Sequence, residues 1–126
     1  MDQKLLDALV ARAEQRARSM AEAKQFFMPG VGMVEFVKPK QAAQIEYYGA
    51  LAESRTPEDA LRLSVSVIYD CCPALQDTGL HAALGIKDPY DVVWKLLEPR
   101  QIDVLGGKLL EWAGIVGDGA EEQAKN

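Results

Sequence analysis

The sequence predicts a mainly α-helical fold, a compact bundle of about five to six helices with a short β-hairpin or strand near residues 25–37. Three observations predict it. Apolar residues recur at spacings of three and four along most of the chain, Pro and capping residues divide that pattern into helical lengths, and one segment is instead rich in β-branched residues. The 126 residues are 48% apolar, which is enough for one core. We therefore expect a single helical domain over residues 1–116, followed by a flexible acidic tail over 117–126.

The first predicted helix covers residues 3–25. Its apolar positions recur at helical spacing and are Leu5, Leu6, Leu9, Val10, Ala13, Ala17, Met20 and Ala21. After Val10 these positions are mostly Ala and three arginines surround them, so this half offers little area for burial. We expect residues 1–24 to pack loosely on their own domain, in cis, or to pack on a partner, in trans.

A strand is predicted after the turn at Pro29-Gly30. This dipeptide ends the first helix, because Pro removes a hydrogen bond and Pro-Gly favours a turn. The residues from Val31 to Val37 are β-branched or bulky and alternate between two faces, which is typical of a strand. Gln25–Met28 is the expected partner across the turn. Since an isolated hairpin is only marginally stable, we expect it to lean on helices or on another chain.

Two helices are predicted in the middle of the chain. The first covers about residues 40–53 and has one usable apolar face. The second has the clearest cap of the sequence, with Thr56 as the N-cap, Pro57 at the first helical position and Asp59 where a carboxylate can reach the free amides. Because this helix is apolar nearly all round, it should be the central and most buried one.

Three more helices are predicted in the second half: a short one over about 77–84, one that Asp88 caps and that runs through Leu97, and a last one that starts at Pro99. Within the last helix, Gly106-Gly107 costs roughly 1 kcal/mol per Gly relative to Ala, which indicates close helix packing or a functional bend. The predicted main core consists of Leu63, Val67, Ile68, Cys71, Leu96, Leu105, Leu109 and Trp112.

The charge pattern limits the classes of partner that we expect this protein to bind. A net charge of −5 argues against nucleic acid, since binding to it draws on Lys and Arg that neutralise phosphates. Residues 1–40 hold seven Lys/Arg against five Asp/Glu, and residues 41–126 hold seven against fourteen. A solvated helix face explains the basic start, and a polar partner is the alternative. With neither a bilayer-spanning apolar run nor a signal peptide visible, we expect no membrane partner and a cytoplasmic protein.

Catalytic, cofactor-binding and metal-binding residues are not predicted. His81 is the single histidine, and Cys71 and Cys72 are adjacent, too close for a zinc knuckle. A Cys–His nucleophilic pair is arithmetically possible, but both cysteines end a nearly all-apolar helix, where burial raises the pKa of a thiol. We interpret them as buried free thiols, which fits a reducing compartment, and His81 as a surface or boundary residue. The expected function is therefore protein binding without catalysis.

Aromatic and apolar residues gather around the predicted hairpin and the helix after it. As candidate protein-binding residues we single out Phe26, Phe27, Met28, Val34, Phe36, Tyr47 and Tyr48. Hairpin edges and aromatic clusters are common recruitment sites. The alternative is a satellite core beneath the hairpin.

The second half of the chain carries a pattern of helix caps, leucines and glycines. It consists of Pro73-Ala74-Leu75-Gln76-Asp77, Leu80, Leu84-Gly85, Asp88-Pro89, Val92-Val93, Leu96-Leu97, Pro99, Ile102, Leu105, Leu110 and Ala113-Gly114-Ile115. A strand-like segment that ends near Lys38-Pro39 leads into a helix like residues 40–53. With these features, residues 25–115 resemble the tail assembly chaperones of long-tailed (siphovirus- and myovirus-type) bacteriophages and prophages.

The resemblance implies a protein that coats the tape measure protein during tail assembly, keeps it soluble and recruits tail tube subunits. Such a protein acts in the host bacterial cytoplasm, is absent from the mature virion, has no catalytic residues and self-associates as a homo-oligomer. Family members are often made in two lengths by a ribosomal frameshift. A slip at or near Lys125-Asn126 would here add a second module to the tail.

Two other classes of function remain open. A helical adaptor or regulatory module of another system predicts a monomer with one binding patch. A small enzyme or toxin-like factor that uses Cys71 or Cys72 predicts a reactive thiol. The chaperone hypothesis predicts an exposed apolar groove and self-association.

Overall fold

The computed structural model describes residues 1–117, which form a bundle of helices with one antiparallel β-hairpin. The elements are α1 (Gln3–Met20), β1 (Ala23–Met28), β2 (Gly32–Val37), α2 (Gln41–Glu53), α3 (Pro57–Asp70), a 3₁₀ turn (Pro73–Gln76), α4 (Thr78–Leu84), α5 (Asp91–Leu96) and α6 (Pro99–Trp112). The prediction of a mainly α fold with a short hairpin is confirmed.

The core is centred on the packing of α3 against α6. Both helices carry several buried residues; in α3 they are Leu63, Ser64, Val65, Val67 and Ile68, and in α6 Ile102, Leu105, Gly106, Leu109 and Leu110. The backbones approach most closely at Gly106, where an added Cβ would lie 2.3 Å from the Cβ of Ser64. Such a distance is far inside van der Waals contact, so the two helices can approach this closely only because Gly106 has no side chain. Gly107, in contrast, faces open space.

The predicted core is mostly correct. Six of its eight members are buried, and the other two, Leu96 and Trp112, are partly buried and pack against the core. Trp112 is needed at the core boundary because its ring meets Phe26 of the hairpin, with the ring centroids 5.2 Å apart.

The hairpin lies on the core through one face. Phe26 pairs with Val34 across the strands, and Phe36 is fully buried and contacts Phe26 edge to face at 5.6 Å between ring centroids. The amide of Val37 donates to the carbonyl of Cys71 at 2.8 Å, which fixes the hairpin to the end of α3. The expectation that the hairpin leans on helices is met by these contacts.

Two predicted helix bounds are wrong. The predicted helix 3–25 ends at Met20, because residues 23–25 pair with β2 and their strand buries Phe26 and Met28 in the core. The predicted start of a helix at Asp88 is also wrong, since the carboxylate of Asp88 accepts a hydrogen bond from the amide of Tyr90, at 3.1 Å, in a turn that precedes α5.

The remaining caps follow the predictions. The Thr56 hydroxyl accepts a hydrogen bond from the Asp59 amide at 3.1 Å, while the Asp59 carboxylate accepts from the Thr56 amide at 3.3 Å. This reciprocal pair is a capping box. At the end of α4, Gly85 adopts a left-handed conformation with φ of 66°, which suits Gly because it has no Cβ.

Helix α1 lies outside this core, and none of its residues is buried. Its carboxyl-terminal end is held by Lys38, whose ammonium donates to the Ser19 hydroxyl at 2.7 Å and lies 3.7 Å from the Glu22 carboxylate. The predicted tail over 117–126, including the predicted frameshift site at Lys125-Asn126, lies outside the described residues except for Gly117.

Candidate protein-binding surfaces

One exposed apolar surface is formed by the outer face of the hairpin. Residues alternate along β1, so Phe26 and Met28 point into the core while Phe27 points outward. Met33 lies opposite Phe27 on β2, and these two side chains are 59% and 61% exposed. Val31, in the turn, is 60% exposed as well. Three large apolar side chains therefore stand together at the tip of a hairpin whose other face is fixed in the core.

A groove continues this surface onto α6. It is lined by Phe27 and Pro29 from the hairpin, by Val104 and Leu105, and by the polar residues Arg100, Gln101 and Lys108, and its volume is about 200 Å³. Val104 is 51% exposed. We call the set Phe27, Val31, Met33 and Val104 the hairpin surface. Its apolar centre and cationic rim are suited to a partner segment that is apolar in the middle and acidic at its edges.

The predicted binding residues separate into two groups. Phe26, Met28, Phe36 and Tyr47 are buried core residues, and Val34 is partly buried. These side chains are not available to a partner, because the face of the hairpin that carries four of the five is the one packed on the helices. Phe27 and Tyr48 are exposed, at 61% and 65%, and for them the prediction of a binding role stays a prediction.

Sequence reasoning missed three members of the hairpin surface: Val31, Met33 and Val104. A signal for Met33 was present, because pairing the strands across Pro29-Gly30 places it opposite Phe27. No comparable signal existed for Val104, which is an ordinary apolar residue of an amphipathic helix until the tertiary structure sets the hairpin beside it.

A second exposed apolar surface runs along α1. Leu5, Leu6, Leu9 and Val10 are between 41% and 52% exposed. Farther along the helix, Arg12 and Arg16 face a cleft of about 270 Å³ between α1 and the body, together with Lys38, Gln44 and Trp112. Its other lining residues within 1–117 are Ser19, Met20, Ala113 and Gly114, and in that range none of the lining is acidic. The indole nitrogen of Trp112 is buried and has no hydrogen-bond partner within residues 1–117. The cleft is thus rich in donors and positive charge.

The opposite charge gathers in a groove of about 470 Å³ between α2 and α3. Its lining includes the carboxylates of Glu46, Glu53, Asp59 and Asp70. One arginine, Arg62, also lines it, but that guanidinium pairs with the carboxylate of Glu58 at 2.7 Å. The hydrogen bonds that Asp59 accepts from the amides of Arg55 and Thr56 hold the pKa of its carboxyl below the ordinary value, so the groove keeps this charge at mildly acidic pH.

Asp70, at one end of this groove, joins two tyrosines. It accepts a hydrogen bond from the Tyr47 hydroxyl at 2.5 Å and one from the Tyr90 hydroxyl at 3.1 Å. Burial raises the pKa of Tyr47, as does its hydrogen bond to the negative Asp70. Both hydroxyls therefore remain donors, and the cluster ties α2 to α3 and to the turn before α5.

The two cysteines are buried and free, as predicted. Burial raises the pKa of the Cys71 thiol to about 12, and the pKa of Cys72 is raised for the same reason. A thiolate is the reactive form, so this environment opposes nucleophilic use. His81 is held elsewhere, with its Nε2 2.7 Å from the carbonyl oxygen of Leu75, to which it donates.

Within residues 1–117, no group of three or more His, Cys, Asp or Glu side chains is placed to hold a metal ion. In the same range, every helix is too short or too polar to cross a bilayer.

The class of protein that these features define is a helical domain with exposed apolar surfaces outside its core. Comparisons with family models, curated proteins and solved structures find no match for this chain.

Proposed function

We propose that this chain is a tail assembly chaperone of a long-tailed bacteriophage or prophage. In this role it binds the tape measure protein, keeps it soluble and recruits tail tube subunits, without catalysis. The proposal rests on the resemblance of residues 25–115 to that family and on one structural observation, the exposed hairpin surface. The class of protein is a chaperone for an apolar helical partner, in the host cytoplasm and absent from the finished particle.

The hairpin surface supports this proposal because its apolar side chains point toward solvent and add no buried area to the domain. Phe27 and Met33 face solvent, while Phe26 and Met28 are buried and Val34 packs against the core. Exposed apolar side chains that lie together on a small domain are a common feature of interaction sites. A helical segment of the partner that places an apolar residue every three or four positions would fill the groove beside Val104.

The charges support the same partner chemistry. Arg100 and Lys108 line the groove of the hairpin surface and would meet acidic residues at the edges of the bound segment. The chain as a whole is acidic, with a net charge of −5. Several copies along a long apolar protein would surround it with negative charge, and like-charged complexes repel one another and stay in solution.

Co-expression with the tape measure protein from the same gene cluster tests the function. We expect the tape measure protein to be soluble with this chain and to precipitate without it, and to co-purify with it. The double variant Phe27→Ser with Met33→Ser is expected to bind at least tenfold more weakly, equivalent to about 1.4 kcal/mol, because it removes the apolar centre of the surface.

The matched control is Trp94→Ser, which removes an aromatic side chain that is 41% exposed at another place on the molecule. It should bind as the wild type does. A tape measure protein that is equally insoluble with and without this chain would contradict the chaperone function. Equal loss of binding in both variants would contradict the assignment to the hairpin surface.

A further inference from the structure

Two further pockets continue the groove of the hairpin surface along α6. Lys108 lines that groove and also a neighbouring pocket of about 380 Å³. The other lining residues of this middle pocket within 1–117 are Lys24, Phe26, Glu111 and Trp112. Trp112 in turn lines the cleft between α1 and the body. The groove, the middle pocket and the cleft thus follow one another in the order of the α6 sequence, and the helix rises about 18 Å from Arg100 to Trp112.

Positive charge predominates in these three pockets. The cations that line them within residues 1–117 are Arg12, Arg16, Lys24, Lys38, Arg100 and Lys108, and we call this set the cationic track. Glu111 is the one carboxylate among the described lining residues. The chain as a whole has a net charge of −5, so the track departs locally from the overall charge. A negatively charged ligand would be repelled by the molecule as a whole and attracted at the track.

Five of the six cations have no carboxylate partner within residues 1–117. The ion pairs in that range are Lys38 with Glu22 and Arg62 with Glu58. Arg12 and Arg16 are four residues apart and lie on one face of α1. Their guanidiniums donate to neutral acceptors, the side-chain oxygen of Gln15 and the sulfur of Met20. These charges are therefore available to the carboxylates of a ligand.

Trp112 lies where the middle pocket meets the cleft, and its indole adds an unpaired donor. The indole nitrogen is buried and has no acceptor within residues 1–117, which is unfavourable for a buried N–H group. The Lys38 ammonium lies 5.4 Å from the centre of the ring. A carboxylate bound beside this ring would therefore meet a positive charge and offer an acceptor to a donor that otherwise lacks one.

We propose that the cationic track binds an acidic segment of the partner, continuous with the apolar segment that covers the hairpin surface. The carboxylates of this segment meet Lys24 and Lys108 in the middle pocket and Arg12 and Arg16 in the cleft. The partner thus combines a run of apolar residues with a neighbouring run of Glu or Asp, and about 20 helical residues reach from the groove into the cleft. That the partner is the tape measure protein rests on the proposed function, whereas the acidic chemistry of the segment is independent of it.

This binding site gives a role to α1, whose 18 residues include no buried one. The contacts of the Lys38 ammonium with Ser19 and Glu22 fix the end of α1 to the body. They thereby hold Arg12 and Arg16 at the cleft. A helix that is anchored at one end and lies outside the core presents its charges to a ligand without burying them in the domain.

A polypeptide fits the track better than a nucleic acid does. Proteins that bind single strands combine a positive groove with exposed aromatic rings on which bases stack. Along the track, the ring of Phe26 is buried and that of Trp112 is partly buried, so Phe27 is the exposed one among the described residues. Phe27 stands together with Val31 and Met33, and these surroundings suit apolar side chains rather than bases.

Two synthetic peptides of about 20 residues test the track on the full chain. Both have one half with Leu at spacings of three and four, and the other half is rich in Glu in the first peptide and in Gln in the second. We expect the full chain to bind the Glu peptide at least about tenfold more tightly, measured by fluorescence anisotropy. Raising the salt concentration from about 0.05 to 0.5 M should remove most of this preference, because ions screen the charges. Each peptide is made with its halves in both orders, and the tighter order gives the direction of the segment.

Neutral substitutions test the cleft and the middle pocket separately. Arg12→Gln with Arg16→Gln should weaken binding of the Glu peptide about fivefold, because it removes two ionic contacts. Lys24→Gln with Lys108→Gln should have an effect of the same size in the middle pocket. Both variants should bind the Gln peptide within about twofold of the wild type, since that peptide makes no ionic contact with these positions.

The matched control is Lys87→Gln with Lys95→Gln, which removes the same charge at exposed positions outside the track. It should bind both peptides as the wild type does. All the altered residues are exposed, so each variant should unfold at the temperature of the wild type, which thermal unfolding checks.

Trp112 gives a second readout within the track. The chain has two tryptophans, and Trp94→Phe leaves Trp112 as the single one. The Glu peptide should change the fluorescence emission of Trp112, because it brings carboxylates beside the indole, and the Gln peptide should change it less.

Equal affinities for the two peptides would overturn the proposal, and so would equal weakening by the track variants and the control. Tighter binding of an oligothymidylate of about 20 nucleotides than of the Glu peptide would overturn it in favour of a nucleic acid. Affinity that falls as the protein concentration rises would mean that a second copy occupies the track, which would overturn it as well. The peptides contain no tape measure sequence, so their result is separate from that of the co-expression experiment.

Discussion

Helices α1 and α3 share a spacing of apolar residues in sequence but differ in how many of those residues are buried. Both place apolar residues at spacings of three and four. Yet α3 buries five of its 14 residues, whereas none of the 18 residues of α1 is buried. Periodicity therefore identifies the apolar face of a helix without identifying what covers that face.

The size of the apolar residues explains part of the difference. In α3 the apolar face consists of large residues such as Leu63, Val67 and Ile68, and it receives the close approach of α6 at Gly106. In α1 the leucines and the valine are confined to the first half, and the half that is connected to the body offers mainly Ala and Arg before Met20. Each buried Leu or Ile side chain contributes about 1.5–3 kcal/mol, which Ala does not match.

The largest expected effect that tests this comparison comes from removing a leucine side chain in each region. Leu109 is fully buried, so Leu109→Ala should lower the free energy of unfolding by about 2–5 kcal/mol through lost burial and a cavity. Leu9 is 52% exposed, and Leu9→Ala should change it by less than about 0.5 kcal/mol in dilute solution. Chemical denaturation monitored by circular dichroism measures both. Similar losses in the two variants would mean that α1 is part of the cooperative core.

A smaller effect is expected from the two adjacent glycines of α6. Gly106→Ala should cost about 1–3 kcal/mol, because the new methyl group would overlap the side chain of Ser64. Gly107→Ala meets only open space and should stabilise α6 by about 0.5–1 kcal/mol, since Ala favours helices more than Gly does. Thermal unfolding should therefore shift in opposite directions. A stabilising Gly106→Ala would contradict the close approach of α3 and α6.

Much of the region around α3 and α6 could be predicted from the sequence. The caps at Thr56 and Pro99 are local signals, because a capping box needs only residues within one turn, and the structure has both helices where these signals place them. The close packing at Gly106 was one of two alternatives, since a glycine in a helix indicates close packing or a bend. Tertiary structure was needed to choose between them.

The beginning of the chain was predicted less well for a physical reason. Residues 23–25 continue a helical pattern in sequence, and it is their pairing with β2 that makes them a strand. Local propensity is overridden there by long-range hydrogen bonds and by the burial of Phe26. The prediction of binding residues was limited for the same reason, because the register of the hairpin decides which of Phe26 and Phe27 a partner can reach.

The helix caps give a third test, with an expected effect of about 1 kcal/mol. Thr56→Ala removes the hydroxyl that accepts from the Asp59 amide and should lower the free energy of unfolding of the whole domain by about 1 kcal/mol. Asp2 caps α1 in the same manner, accepting from the Leu5 amide at 3.3 Å. Asp2→Ala should shorten α1 with little change in global stability, because α1 has no buried residue.

The Asp59 carboxyl adds a pH dependence to that test. Its pKa is lowered in the folded state, so its contribution is present above the unfolded pKa of 3.8 and is lost as pH falls through the lower folded value. Asp59→Asn should therefore flatten the loss of stability of the domain in this acidic range. An unchanged acid profile in this variant would contradict a role of the charged carboxylate in the cap.

Hydrogen exchange of the α1 amides, measured in the Asp2→Ala variant, reports the local effect of losing the cap of α1.

Thiol labelling at neutral pH compares how accessible the two regions are to solvent. Cys71 is 2% exposed, and burial raises the pKa of its thiol to about 12, so almost none of it is the reactive thiolate. Ala8 in α1 is exposed, and a cysteine placed there by Ala8→Cys should react at the rate of an unstructured thiol. Mass spectrometry along a labelling time course separates the rapid site from the slow ones.

The Cys71 thiol also predicts the direction in which stability changes at alkaline pH. The pKa of Cys71 is higher in the folded state than its ordinary value of 9.0, so the folded protein retains a proton that the unfolded chain loses. The stability associated with this shift is complete below pH 9 and decreases as the pH rises toward about 12. Labelling of Cys71 should therefore accelerate steeply over that range as the domain opens, whereas Ala8→Cys should already be labelled at neutral pH. If Cys71 and Ala8→Cys reacted equally fast at neutral pH in a folded chain, α3 would be as open to solvent at its end as α1 is along its length, and the contrast between the two helices would not hold.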